Sequence, residues 1–534
     1  KTLTGCPVEN KSPRLGGGFI YAHLNNLPAG MYRVRVKAET DCLIDEVDIR
    51  PAMDVGIGIV GNFLSFGHYD HMHAGWPNGT FFDYGPKSKK GIPVAGIPVV
   101  KGEGTVTIKN GVIESAVPGI LAWGIQSTSD KVKVVLENLH VKINGISSGA
   151  VNIPWVDIQN CRFDTDIPFL IQRHTNLCSV TAGGENASEV AFSEFYGGQG
   201  NLSVRGKKSI VHDNLFKNNQ TVTNHYSIMG TGEGSKIFNN RFEPYQGSGI
   251  YVSRHSEVFN NVFNIETSPP TCEYGRDIYS TAAIRMGDYH ALPGSPKASE
   301  GTRIYNNKIT ITAKNYPEPK EYIPVAWGIF YSARGGENYI YDNEITVNKI
   351  EPGSKSIAAA FYICGGPEYY GGQFFNNMIT TNVPAAWIAT EYGDASNTRI
   401  YNNTIIPLGD TNFETFRIGS SNYVARNIEF ISNTVAGQEF SIHATDGNHS
   451  YKVFWRLNVK VYDREGNPVK DEDVTIFNDK SESVFIGKTD EKGVLSVELP
   501  EYEVDGSVKK MSSSYTIGAG NFKKTIELTS NREV

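Results

Sequence analysis

Arginine, histidine, tyrosine and carboxylate residues gather in one part of this chain, and together they suit acid–base chemistry. Arg254 and His255 follow the strand-like phrase GIYVS at Gly249, and Asp288, Tyr289 and His290 follow AAIRM at Ala282. Tyr331 and Arg334 come later, Arg205, His225 and Glu233 earlier; Arg173 and His174 lie further back, Glu391 and Tyr392 further on. Two reactions could use such a set. Elimination from a uronate needs a cation on the carboxylate and a base for the neighbouring proton. Arg254 or Arg285 would neutralise, His255 or His290 would take the proton, and Tyr331 would be the acid. Hydrolysis needs two carboxyl groups, roughly 5–9.5 Å apart according to stereochemical outcome. Glu233 and Asp288 are the pair available, at about 10 Å if both point outward two coils apart. The plainer reading makes Arg254 and Asp288 a surface ion pair between adjacent coils.

What must position these residues is a repeat. Two polar residues, usually Asn, recur before one variable and one apolar residue: FNNRF at Phe238, FNNVF at Phe259, YNNKI at Tyr305, YDNEI at Tyr341, FNNMI at Phe375 and YNNTI at Tyr401. Aligning the first polar position gives Asn110, Asn138, Asn160, Phe192, Asp213, Asn239, Asn260, Asn306, Asp342, Asn376, Asn402 and Ser432. The shortest interval is 21 residues (Phe192 to Asp213) and the longest 46 (Asn260 to Asn306), as expected for one coil plus loops of differing length. A second strand of alternating character lies between the phrases, as in AFYIC at Ala360, TFRIG at Thr415 and FSIHA at Phe440. One coil of short strands cannot bury its own apolar face, whereas stacked coils bury a continuous column. Asn at the corner tolerates the left-handed conformation, and stacked amides can bond along the column.

The phrase resembles the repeats of the pectate-lyase-like right-handed parallel β-helix superfamily, from Asn110 to about Val435. The fold this implies is all-β, a right-handed parallel β-helix of about twelve coils over residues 101–449. Members include polysaccharide lyases, glycoside hydrolases, epimerases and non-catalytic surface proteins, so the resemblance speaks for fold more than for activity. Setting Ile250, Ile284 and Phe361 in register as inward residues puts Tyr251, Arg285 and Tyr362 on one outward column, with Ser253, Gly287 and Cys364 two positions on. The 46-residue interval supplies two long insertions as walls for this strip. The site expected there has Asp288, His290, Arg254, His255 and Glu233 as catalytic groups. Arg285, Tyr251, Tyr289, Tyr331, Arg334, Arg205 and Glu391 would bind substrate, with Trp123, Trp155, Trp327 and Trp387 as stacking surfaces or core fillers.

Residues 1–100 lack the repeat and read as a β-rich cap over the open first coil. Within it, His68, Asp70, His71 and His73 lie close together, but His68 does not share the strand face of His71 and His73, so a loop or rim is expected rather than a metal site. Residues 450–534 alternate cleanly between turns at REGNP and DEKG. This segment resembles small immunoglobulin-like or carboxypeptidase-regulatory-like sandwiches at the ends of secreted enzymes.

The bulk numbers narrow the partners. In 534 residues, 20% are charged and 39% hydrophobic, with 55 Gly, and the net charge is −7 without a Lys/Arg block. That disfavours nucleic acid and leaves a polysaccharide or oligosaccharide as the expected partner. No apolar run is long enough for a membrane span. A mature secreted or cell-surface chain, its leader already removed, is the expectation. Six cysteines without a CxxC pair argue against zinc, and no cofactor is expected; Cys6–Cys42 and Cys161–Cys178 are possible bridges, buried free thiols the alternative.

Overall fold

The computed structural model describes residues 104–534 except 117–122, 128–129, 145–148, 167–177, 198–199, 218–225, 245–246, 268–280, 288–299, 317–322, 333–336, 352, 365–370, 391–392, 410–412 and 421. Before 104 it describes only the backbone of five short strands, the last of them Ala95–Val99. The cap, the side chains of the His68–His73 cluster and the Cys6–Cys42 pair therefore lie outside the described residues.

The described residues are all-β, without a helix, and they stack as a parallel β-helix. Each coil contributes a strand to a 13-stranded sheet whose pairings are all parallel, from Ala95–Val99 at one edge to Ile442–Ala444 at the other. The chain then turns into two short strands set on either side of a corner, such as Lys236–Phe238 and Arg241–Glu243. Each pairs in parallel with its equivalents one coil before and one coil after.

The corner explains the repeat. All twelve aligned positions, from Asn110 to Ser432, have a positive φ of 52–60°. Asn and Asp accept this left-handed conformation more readily than other L-residues because the short polar side chain bonds locally. The following residue points inward and forms a buried ladder. Asn214, Asn240, Asn261, Asn307, Asn343, Asn377 and Asn403 each donate from Nδ2 to Oδ1 of the next, ending at Asn433, at 2.9–3.0 Å. The same Nδ2 groups donate to backbone carbonyls, so each buried amide is satisfied at the place where the chain turns.

Between the corners, period-two alternation sends one residue in three-residue strands to the core. Ile237, Val258, Ile304, Ile340, Phe374 and Ile400 are all fully buried while their neighbours face solvent. Beyond the corner Phe163, Phe195, Phe216, Phe242 and Phe263 stack ring on ring at 4.6–5.1 Å. Ile309, Ile345 and Ile379 continue the column in later coils. Apolar side chains in register on successive coils make one continuous buried column, which is how irregular coils share one core.

The last rung runs on into the C-terminal segment. The strand Ser450–Lys460 pairs in parallel with Ile428–Ile431 and antiparallel with Val494–Asp505 along its whole length. Val453, Trp455 and Leu457 thereby join the β-helix core to Val474, Tyr515 and Leu528 of the C-terminal sheets. A four-stranded antiparallel sheet completes that segment.

Of the two readings open for Cys161, bridged or buried and free, the second holds. Cys161 is a free, buried thiol whose Sγ–H donates to the Gln159 carbonyl at 3.3 Å, so the Cys161–Cys178 bridge is absent. Cys364 is likewise free and buried.

Candidate functional site on the outward face of the long sheet

The register places Ile250, Ile284, Ile329, Phe361 and Ala386 on one inward column. The next residue in each strand then faces outward: Tyr251, Arg285, Phe330, Tyr362, Trp387, Arg417 and His443. The expected alignment of Tyr251, Arg285 and Tyr362 holds. Arg417 and His443 are absent from the expected set, although the register carried three rungs beyond Tyr362, through Trp387 and the strands TFRIG and FSIHA, identifies both.

This column is an interleaved stack of rings and cations. The Arg285 guanidinium lies 5.5 Å from the Tyr251 ring and 5.1 Å from the Phe330 ring, and its Nη1 donates to Tyr226 Oη at 3.4 Å. Phe330 packs on Tyr362 at 4.9 Å, Tyr362 on Trp327 at 4.6 Å, and Trp327 on Trp387 at 6.0 Å. Arg417 covers the Trp387 ring at 4.9 Å. Trp327 belongs to this cluster rather than to the interior. Its equivalents on the neighbouring rungs, Ala282 and Ala359, belong to the same cluster, so this rung position lies outside the interior column in three consecutive coils.

Outward is not the same as accessible. Arg285 is 6% exposed, and Phe330, Tyr362 and Trp327 are fully buried. A sugar cannot stack on a ring that no solvent reaches, so Arg285 acts within the cluster, gripped by aromatic faces. The accessible parts are the two ends: Tyr251, half-buried, and the run of Trp387 and Arg417, half-buried, with His443 exposed.

Tyr331 is a correction. It pairs with Met286 and Ile363 on the inward face, is 2% exposed, and accepts a hydrogen bond from Asn338 Nδ2 at 3.3 Å. Burial pushes its hydroxyl well above the usual tyrosine range. It is a core residue, unable to touch a substrate as acid or binding group. The sequence reading placed it after the strand, whereas Val325–Tyr331 includes it.

Glu233, Arg254 and His255 occupy the turn that leaves the long sheet. Gly234 N–H donates to the Arg254 carbonyl and His255 N–H to that of Glu300, so these turns stack as regularly as the strands. The stacking makes a column of alternating charge. Glu233 Oε2 accepts from Arg254 Nη2 at 3.0 Å and lies 3.7 Å from Lys207 Nζ, while His255 Nε2 is 3.9 Å from Glu233 Oε1. Desolvation raises the Glu233 carboxyl, but the Arg254 hydrogen bond and charge outweigh it and hold the group below the usual carboxylate range. An ionised, paired Glu233 is a poor general acid. Arg254 is thus paired with Glu233, while the ion pair expected between Arg254 and Asp288 involves a residue outside the described ones. His255 is about half exposed and adopts φ 54°, against Gly301 of the next coil. A Cβ on Gly301 would come within 2.3 Å of His255 Nδ1. Arg205 is exposed on the preceding turn. Asp288, Tyr289, His290, Arg334 and Glu391, with Arg173, His174, His225 and Tyr392, lie outside the described residues.

Among the described residues no three of His, Cys, Asp and Glu are grouped to hold a metal ion, and no helix is long and apolar enough to cross a membrane. An open depression of about 610 Å³ lies in the C-terminal segment, beside the Arg456–Glu498 pair.

No family model matches the chain, and no curated protein does. Among solved structures, the tailspike protein of Escherichia coli bacteriophage HK620 in complex with a pentasaccharide is 10% identical. That match covers 80% of this chain and 87% of the tailspike, with a TM-score of 0.33. The Bacillus anthracis TIE protein is 22% identical over 18% of this chain, with a TM-score of 0.13, and the chain spans only 17% of that protein.

Proposed function

We propose that the protein binds a polysaccharide along the outward face of the long parallel sheet, outside the cell. The observation that carries this reading is the Trp387–Arg417–His443 run. A half-exposed indole, an arginine and an imidazole stand on three successive rungs of one column. Arg417, lying over the indole, offers a planar donor fork to a carboxylate or hydroxyl pair, and the accessible part of the Trp387 ring beside it offers apolar contact to a sugar. The buried Arg285 cluster supports this run from beneath its neighbours, fixing the sheet face. The domain limits at 100 and 449, the right-handed sense, the pectate-lyase-like kinship and an immunoglobulin-like C-terminal segment belong to the same proposal.

Cleavage of the bound polymer, by elimination or hydrolysis, is the finer part of the proposal. Asp288 and His290, just after the strand Ala282–Met286, are its acid–base groups, with Tyr289, Arg334 and Glu391 contacting substrate. A non-catalytic surface or adhesive β-helix is the second reading. It is favoured by Glu233 and Arg254, which neutralise each other rather than await a substrate.

One screen separates these readings. The protein is incubated with uronate-containing and neutral polysaccharides while ultraviolet absorbance and reducing ends are followed, and retention on each polymer is measured in parallel. Unsaturated product selects elimination, reducing ends alone select hydrolysis, and retention without product selects the adhesive reading. Absence of retention on every polymer, or retention unchanged in Trp387→Ala, overturns the proposal.

A further inference from the structure

A second, differently built surface stands at the corner of the short strands. The left-handed corner position carries Asn, Asp or Ser in every aligned repeat but one, where Phe192 adopts φ 52°. A left-handed backbone costs a bulky L-residue about 1–2 kcal/mol. Burial does not offset this, because Phe192 is 60% exposed. Stability therefore gives no account of a phenylalanine here.

Its surroundings do. His212 of the next coil meets the Phe192 ring edge-on at 5.4 Å and stacks on Phe238 at 4.9 Å. The imidazole is held between two carboxylates: Nδ1 is 2.7 Å from Asp213 Oδ2, and Nε2 is 3.2 Å from Glu189 Oε1. His212 is only 14% exposed, whereas Glu189 is 42% and Asp213 34% exposed. The ring thus orients two carboxylates whose remaining lone pairs face solvent. Whatever proton His212 carries, the trio has a net negative charge.

We propose that Phe192, Glu189 and Asp213 form a sugar-binding subsite for a pyranoside that carries no acidic group. One face of the pyranose packs on the exposed phenyl ring, and its hydroxyls donate to the fixed carboxylates. The negative charge repels uronates and sulfated sugars. This subsite lies on the short-strand corner, not on the Trp387 face, and does not depend on the reading given for that face.

The test compares wild type, Phe192→Asn and a Glu189→Gln/Asp213→Asn double variant of the full chain by calorimetric titration with cellohexaose, fully deacetylated chitohexaose and hexagalacturonate. Asn suits the left-handed corner, so Phe192→Asn is expected to melt at or above the wild-type temperature. It should bind cellohexaose or chitohexaose at least about tenfold more weakly, a loss of about 1.4 kcal/mol. The double variant should show the same loss, and because the Trp387 face is intact in all three proteins the difference from wild type reads the corner subsite alone. Four results each overturn the proposal. They are no wild-type binding up to about 10 mM, equal affinity in Phe192→Asn, a loss of hexagalacturonate affinity in Phe192→Asn as large as that of the neutral sugar, or a lowered melting temperature in Phe192→Asn. A change in sedimentation of Phe192→Asn with no change in sugar binding would instead mark a contact between copies, and overturns it too.

Discussion

Asn343 Nδ2 donates to Asn377 Oδ1 at 2.9 Å, and the Asn343 backbone N–H donates to the same oxygen at 3.0 Å. One carbonyl therefore serves two donors from the coil before, inside a fully enclosed corner. Replacing Asn343 by Ala leaves the Asn307 backbone N–H and side-chain amide without their Oδ1 acceptor. The expected cost is about 1–3 kcal/mol per orphaned buried group, read as a lower denaturation midpoint. Asn110 and Asn138 bond to each other on the exposed side of the corner. Asn138→Ala should cost much less.

The turn and the core should respond very unequally to mutation. Tyr331→Ala removes a buried ring and should destabilise the protein by about 3–5 kcal/mol. Arg254→Ala breaks a half-exposed ion pair, worth at most about 1 kcal/mol. Arg254→Ala that leaves both the melting temperature and polymer retention unchanged would assign the Glu233–Arg254 pair to surface packing alone.

His449 ties the last coil to the C-terminal segment and should make stability fall in acid. It is 2% exposed; Nδ1 accepts from the Ala425 backbone N–H at 3.2 Å, and its carbonyl accepts from Gly506 N–H. Burial lowers its pKa below 6.5, and Arg426 adds to this, against the opposing backbone bond near Thr445 and the charge of Asp394. A lowered folded-state value means that the unfolded chain binds the proton first. The His449 contribution is thus complete above about pH 6.5 and is lost as pH falls through the lower folded value. Denaturation at pH 7.5 and 5.5 should show a larger loss for wild type than for His449→Gln.

The two free thiols among the described residues, Cys161 and Cys364, should resist modification in the native protein. Burial pushes Cys161 up to about 11 and Cys364 up to about 12, and the thiolate is the reactive form. Iodoacetamide at pH 8 should label neither residue until denaturant is added, as peptide mass mapping would reveal. Native labelling of Cys364 would mean that the outward face opens.

Gly301 takes φ +69° with His255 packed against it. Gly301→Ala strains the backbone and collides with the imidazole, so a loss of about 1 kcal/mol or more is expected. Pairing it with His255→Ala should relieve the collision but not the backbone cost, and a double-mutant cycle would separate the two.

The recurring Asn pairs were enough to foresee stacked coils, the left-handed corner and the in-register column of Ile250, Ile284 and Phe361. These are local matters, because corner conformation and strand alternation depend on residue type and on a period of two. The sequence by itself also determined the composition of the outward column, since in parallel stacking equal spacing means neighbouring positions. Only the tertiary structure decided which of those residues meet solvent. Whether Arg285 lies under other rings, whether the strand continues far enough to bury Tyr331, and whether Glu233 faces Arg254 depend on register shifts and turn lengths. The same holds for Phe192, whose identity broke the Asn pattern in plain view. Its meaning required the exposure of the ring and the carboxylates around His212, which come together only when two successive coils are stacked.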